Sequence, residues 1–208
     1  MSTTHEIVMT PITTKVRFYT SVDNGSYIPS HWHRAIEIIY MQTGALTVTV
    51  ESHTQELTAG QCILINSNVV HSTQCTTPNT AIVFQIPLDF IETYIPQVRS
   101  LLFHLPEGSA DPKERTKLDI FKNTLEKMQI ANDMQPDGFL LRFNSLLFEV
   151  LFQLYHNFST QVMHSDFSKK KKELDRLNPV LQYTTEHYNE PISIQEIADI
   201  ACLQPGYF

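Results

Sequence analysis

The 208 residues carry 15 Lys and Arg against 22 Asp and Glu, and the formal net charge of -7 argues against a nucleic-acid binder held by bulk electrostatics. An apolar fraction of 42% is enough to bury a sizeable core, and the length exceeds the common size of one domain. Cys62, Cys75 and Cys202 are odd in number and lack metal-type spacing; with no basic start leading into an apolar run and no window near the ~18–20 apolar residues of a membrane span, the chain reads as cytoplasmic and without membrane contact.

Taken in order, residues 1–15 are mixed and polar and read as a flexible N-terminal arm. A short strand is predicted at 16–20, followed by a turn at Asn24-Gly25, where positive φ is tolerated. Further strands are predicted at about 31–41, 45–51, 61–66 and 80–87, with 52–60 and 74–79 as polar connections. Such short strands between turn residues suit an antiparallel β-barrel spanning 16–110. Within the strand that begins at His31, alternation places His31, His33 and Glu37 on one face, so that two imidazoles and a carboxylate converge. Trp32 has the opposite parity and is expected on the outside of the barrel, with Arg34 in solvent.

From Pro112 the apolar period changes. Leu118, Phe121, Leu125 and Met128 recur at steps of three and four and predict a helix, and residues 111–164 read as a helical region. After a turn at 133–138, a second helix over 138–163 is apolar around most of its circumference, so it needs partners on two sides. Residues 165–173, with four consecutive lysines, read as a linker. In 174–208, Leu174, Leu177, Leu181 and Tyr188 mark one helix. Ser193 with Glu196 forms a capping box that starts a short second one, with Ile194, Ile197, Ile200 and Ala201 facing inward. A turn follows at Cys202-Leu203, and Pro205 suits the first position of another helix. Two short helices around a tight turn describe a helix-turn-helix, with its recognition helix starting near Pro205.

The stretch Gly25, SYIPS, His31-Trp-His33, RAI, Glu37, IIYMQT, Gly44 matches every position of the first motif of the cupin superfamily. The second motif is matched at Gly60 and His71 in GQCILINSNVVH, with Asn66 and Asn68 where a proline and a glycine usually stand. This resemblance covers about 25–87. It implies an α+β protein whose β part is a double-stranded β-helix, a small antiparallel barrel of jelly-roll kind. The C-terminal segment is similar to the opening of the DNA-binding domain of AraC/XylS-type bacterial transcription regulators: Ser193, Glu196, Ile197, Ala198, Leu203, Pro205, Tyr207 and Phe208 fit it in order, and Gln204 departs where a serine usually caps the second helix. A cupin-like sensor barrel, two apolar helices, a linker and this start together resemble such a regulator, truncated within its first helix-turn-helix.

The resemblance implies two roles for His31, His33, Glu37 and His71. They hold a divalent metal ion (Zn, Fe, Mn or Ni), or they bind a small-molecule effector, such as a sugar, by its polar groups. It further implies that Phe143, Leu147, Val150 and Leu154 form the seam of a homodimer, the other reading of these four being intramolecular core. The expectation is therefore the sensing and dimerisation part of an AraC-type regulator, not an enzyme. Its DNA contact would come only from a missing C-terminal region, since no Lys or Arg lies between Leu177 and Phe208. The alternative is a metal-dependent cupin enzyme, a dioxygenase or isomerase using the same four residues.

Overall fold

Short runs of residues between turn-forming breaks make the first part of the chain a succession of strands. In chain order these are β1 (Thr4–His5), β2 (Arg17–Asp23), β3 (Tyr27–Trp32), β4 (Ala35–Thr43), β5 (Ala45–Val50), β6 (His53–Thr58), β7 (Cys62–Ile65), β8 (His71–Gln74) and β9 (Asn79–Pro87). The computed structural model describes residues 3–162 and 169–207. These fall into two units that divide between Val162 and Met163, so the regions expected as a separate barrel and helical domain belong to one unit.

The strands form two sheets, one in the order β1-β3-β8-β5-β6 and the other β2-β9-β4-β7. All pairings are antiparallel except the two-residue contact of β1 with β3. Ile39, Met41 and Ala81 of the four-stranded sheet pack with Leu46, Val48 and Leu57 of the five-stranded one, so the sheets lie face to face. The expected barrel is corrected on this point. Among the described residues no ladder joins the two sheets into a ring, and the architecture is an open two-sheet jelly roll.

The expected single strand over 31–41 is also corrected. It breaks at His33-Arg34, where the chain leaves β3 in one sheet and enters β4 in the other. The turn from β4 to β5 depends on Gly44, whose φ is +73° and whose missing Cβ would lie 2.3 Å from the Pro78 carbonyl oxygen.

On the four-stranded sheet, odd-numbered residues of β2, β4 and β9 face the other sheet, while Phe18, Ile36, Ile38, Tyr40, Ile82, Phe84 and Ile86 face the helices. Burial on both faces explains why β4 and β9 read as nearly unbroken apolar runs. Beyond β9 come α1 (Leu88–Glu92), a 3-10 turn at Val98–Ser100 and β10 (Leu101–Phe103), then α2 (Pro112–Met134), α3 (Phe139–Asn157) and β11 (Ser159–Gln161). Asp111 caps α2 by accepting from the Lys113 amide at 2.9 Å, and Pro112 fills the first helical position. Helix α3 stops before the expected residue 163 because the chain turns into β11, which pairs with β10.

Phe143, Leu147, Val150 and Leu154 are 2%, 0%, 0% and 1% exposed within a single copy. Their assignment to a dimer seam is corrected: they belong to the core between α2, α3 and the sheet, where a partner has no access to them. The large apolar side chains of α3 that stay open are Leu140, Leu141, Phe148, Phe152 and Tyr155.

In the second unit, residues 165–168 of the expected linker lie outside the described residues, and Lys169 opens α4 (Lys169–Glu186), which accommodates Pro179 in its interior. Helix α5 (Ile194–Ile200) starts with the expected reciprocal cap: Ser193 Oγ accepts from the Glu196 amide at 3.2 Å, and Glu196 Oε2 accepts from the Ser193 amide at 2.8 Å. Ile194, expected to face inward, is exposed. Cys202 is left-handed at φ 54°, and Pro205–Tyr207 form a 3-10 turn. A second α-helix from Pro205 is not among the described residues, and Phe208 lies outside them.

Candidate metal centre

Four side chains reach the gap between the sheets from three different places. His31 and His71 face each other across the β3–β8 pair, their ring centroids 4.1 Å apart, after a register shift that contains Pro29, which has no amide hydrogen to give the ladder. His33 sits in the crossing between the sheets. Glu37 lies in β4, flanked by Ile65 of β7 and Gln85 of β9.

The loop before β8 is tied to the crossing by the Asn68 amide, which donates to the His33 carbonyl at 2.9 Å. Asn68 is left-handed at φ 60°, a conformation asparagine adopts more readily than most residues. This is how it replaces the glycine usual in that motif. The other departure, Asn66, accepts from the Phe103 amide at 3.0 Å and donates to its carbonyl at 2.9 Å, fastening the loop to β10.

One donor atom from each of His31, His33, Glu37 and His71 lies within 4.8 Å of the others, and all four residues are buried. The ring orientation is fixed from behind. Nδ1 of His31 donates to the Pro29 carbonyl and Nδ1 of His71 to the Val69 carbonyl, both at 2.9 Å, which leaves each Nε2 with its lone pair toward the centre. The Nε2 of His71 is buried with no hydrogen-bond partner, 3.6 Å from Glu37 Oε2.

Nδ1 of His33 lies 3.1 Å from the Ala35 oxygen and 3.3 Å from the Ala35 nitrogen, so the backbone serves either tautomer; its Nε2 is 2.8 Å from Glu37 Oε2. Donors held about 2.1 Å from one ion stand about 3.0 Å apart at right angles and about 3.4 Å apart at the tetrahedral angle. Two of the observed separations, 2.8 and 3.6 Å, both to Glu37 Oε2, bracket that range, and the whole set lies within 4.8 Å. The residues fit a divalent metal, and imidazole with carboxylate is a donor set that Zn, Fe, Mn and Ni all accept.

Electrostatics point the same way. Burial pushes the Glu37 carboxyl up, but His33 and His71 together outweigh it and hold the carboxyl well below the usual range. For His71, burial favours the neutral ring, while Glu37 more than compensates and raises its pKa; for His31, burial and then the neighbouring His71 lower it. The anionic Glu37 attracts a cation, for which a proton on His71 and a metal ion compete.

Three contributors escaped the sequence. Gln85 is buried, donates to Glu37 Oε2 at 2.9 Å and accepts from Arg17 Nη1 at 3.1 Å. Arg17 lies 4.9 Å over the Tyr19 ring and also donates to Glu6 Oε1 at 3.0 Å. Glu6 arrives from the N-terminal segment expected as a free arm, which instead pairs through β1 with β3. That same strand covers Trp32: the indole, expected on the outside, is buried, with the His5 ring 4.5 Å away. The one signal available was Gln85 itself, a lone amide within the apolar run of β9. Beside the cluster a cavity of about 390 Å³ is lined by Arg17, Tyr19, Glu37 and Gln85 at one end and by Ile39, Leu46 and Val83.

Residues 18–87 match the family model described as a cupin domain. This chain carries a cupin domain. Solved structures similar to it include an RmlC-like cupin from Shewanella frigidimarina, 26% identical over 37% of this chain and 72% of that one, with a TM-score of 0.34. Another is the DMSP lyase DddQ from Ruegeria pomeroyi, 26% identical over 36% of this chain and 40% of that one, TM-score 0.33. A third is the Bacillus subtilis oxalate decarboxylase, a protein with Mn(II) centres, 21% identical over 37% of this chain and 22% of that one, TM-score 0.34. No curated protein matches the sequence.

The cupin domain here presents a buried donor set for a metal. The expectation that the chain is not an enzyme is corrected on the donor set itself: a buried cluster of three imidazoles and a carboxylate is compatible with metal-dependent catalysis. Among the described residues no helix is long and apolar enough to cross a membrane.

Proposed function

We propose that the cupin domain holds one divalent metal ion through His31, His33, Glu37 and His71 and is a metal-dependent enzyme acting on a small molecule in the adjoining cavity. The observation that carries this reading is the convergence of three imidazoles and a carboxylate within 4.8 Å, with His71 Nε2 buried and unpartnered at its centre. When bound, the ion supplies Lewis-acid activation of a substrate oxygen. The chain's own residues do the rest. Backbone carbonyls behind His31 and His71 fix their tautomers, Gln85 orients Glu37, and Ile39, Leu46 and Val83 give the cavity an apolar part of its wall. Turnover of small oxygenated substrates by the purified chain should stop on chelation and return with one added metal; activity indifferent to chelators, or to His71→Ala, refutes the proposal.

A second reading makes the same cupin domain the sensor of an AraC-type regulator. It is favoured by the capped helix α5, the left-handed Cys202 and the turn that opens at Pro205. Its test is the gene beyond Phe208: a further basic helical pair supports it, and an unrelated continuation removes it.

A further inference from the structure

Glu6 places a carboxylate where the structure is built to receive one. Its Oε1 accepts from Arg17 Nη1 at 3.0 Å, and its Oε2 lies 3.5 Å from His31 Nε2, 4.0 Å from His33 Nε2 and 3.5 Å from the Gln85 amide that donates to it. The receiving groups are fixed from within the sheet. Gln85 and Tyr19 hold the guanidinium, and Arg17, Gln85 and Glu37 stand on one rung across β2, β9 and β4.

The residue that fills the position is weakly held by comparison. Strand β1 has two parallel rungs to β3, the Glu6 amide adds one bond to the Trp32 carbonyl at 2.9 Å, and Ile7, Met9 and Ile12 beyond it are exposed. A two-residue strand on a sheet edge opens at little free-energy cost, whereas Arg17 retains its partners when Glu6 leaves.

We infer that Glu6 occupies the place of a ligand carboxylate, and that a small monocarboxylate with an apolar body displaces β1, pairs with Arg17 and points its carboxylate at the histidine cluster. One carboxylate follows from the charges. Arg17 is the single Lys or Arg among the residues lining the cavity, and Asp23, six residues further along β2, repels a second anion at that end. The apolar body follows from Ile28, Ile39, Leu46, Ala81 and Val83, the aliphatic side chains of a wall that also carries the uncharged polar Ser21, Thr73 and Asn79. Charge-assisted pairing with a guanidinium discriminates an acid from its amide of nearly identical shape. This inference names the substrate class of the proposed metal site and rests on that reading only in calling the ligand a substrate; the pairing with Arg17 does not require the metal.

The sole tryptophan reports the displacement, because Trp32 is buried under His5 of β1. The purified chain, metal-free and loaded with Mn(II), is titrated with acetate, butyrate and 4-methylpentanoate and with the corresponding amides. Trp32 emission is followed, and metal content is measured separately on each sample. A saturable red shift is expected with 4-methylpentanoate at concentrations about tenfold or more below those needed with its amide, the loss of one charge-assisted bond. Glu6→Gln should lower the half-saturating concentration, because the competing carboxylate is gone. Arg17→Met should erase the preference for acid over amide while metal content stays the same. Acids and amides acting alike in the wild-type chain, or Glu6→Gln leaving half-saturation unchanged, overturns the inference. Metal bound without acid preference refutes it and leaves the metal reading standing; acid preference without metal refutes the metal reading and leaves this one.

Discussion

Replacing Gln85 by leucine tests the wiring behind the metal site. Leucine is close in volume, so the β9 position stays filled, while the buried Glu37 carboxylate loses the donor now 2.9 Å from its Oε2 and Arg17 loses an acceptor at 3.1 Å. A hydrogen bond to a charged group is worth about 1.5–3 kcal/mol, and at about 1.4 kcal/mol per tenfold this converts to a loss of roughly 10–100-fold in metal affinity if it all falls on the ligand carboxylate. Competition against a chromophoric chelator measures that loss, and urea denaturation of the metal-free chain measures the stability part separately. Metal affinity within about twofold of wild type, in a variant with an unchanged denaturation midpoint, would show that Gln85 merely fills space and that Glu37 is oriented by something else.

Leu147→Arg should destabilise an isolated copy by about 4 kcal/mol or more, seen as loss of the cooperative thermal transition, because it places a charge in the core between α2, α3 and the sheet. A folded variant with a changed mass in solution would instead restore the seam reading. Gly44→Ala should cost on the order of 1–3 kcal/mol in denaturant unfolding, since the new Cβ meets the Pro78 carbonyl at a positive φ; no loss would mean the β4–β5 turn relaxes freely. Metal affinity should rise with pH: the His71 pKa is raised above its ordinary value of 6.5, so below the raised value a proton must leave Nε2 before the metal binds, and affinity falls about tenfold per pH unit for each proton displaced. In the metal-free chain the lowered Glu37 pKa works in the other sense: its stabilisation is present above 4.5 and is lost as acid takes the pH down through the lowered value, so Glu37→Gln should flatten that acid limb. A chelator competition flat from pH 6 to 8 or an unaltered acid limb would contradict these assignments.

Local chemistry made part of this protein legible. The β-branched runs of β4 and β9, the periodicity of α2 and α3, and the Ser193 cap are properties of neighbouring residues, and each element stands within a few residues of its expected place. His31, His33 and Glu37 converge as alternation suggested, but by another route: the chain changes sheets at His33, so the parity of one strand alone does not bring them together. Strands β6 and β8 are not legible in the sequence because HTQELT and HSTQ are polar; their partners, not their sequences, make them strands. The same limit hid Glu6, Arg17 and Gln85, which meet the cluster only through pairing across β2, β9 and β4. For α3, an apolar circumference announced two buried sides without saying which neighbour covers each. The sheet and α2 supply both for Phe143, Leu147, Val150 and Leu154.

The most direct measurement is the metal content of the chain, purified without a metal-affinity step and reconstituted with Mn, Fe, Zn and Ni in turn. The account predicts close to one equivalent of at least one ion, falling to background in both His33→Ala and His71→Ala while the variants keep the wild-type β signature in circular dichroism. Wild-type protein that retains none of the four ions after reconstitution, or alanine variants that bind as the wild type does, would contradict it.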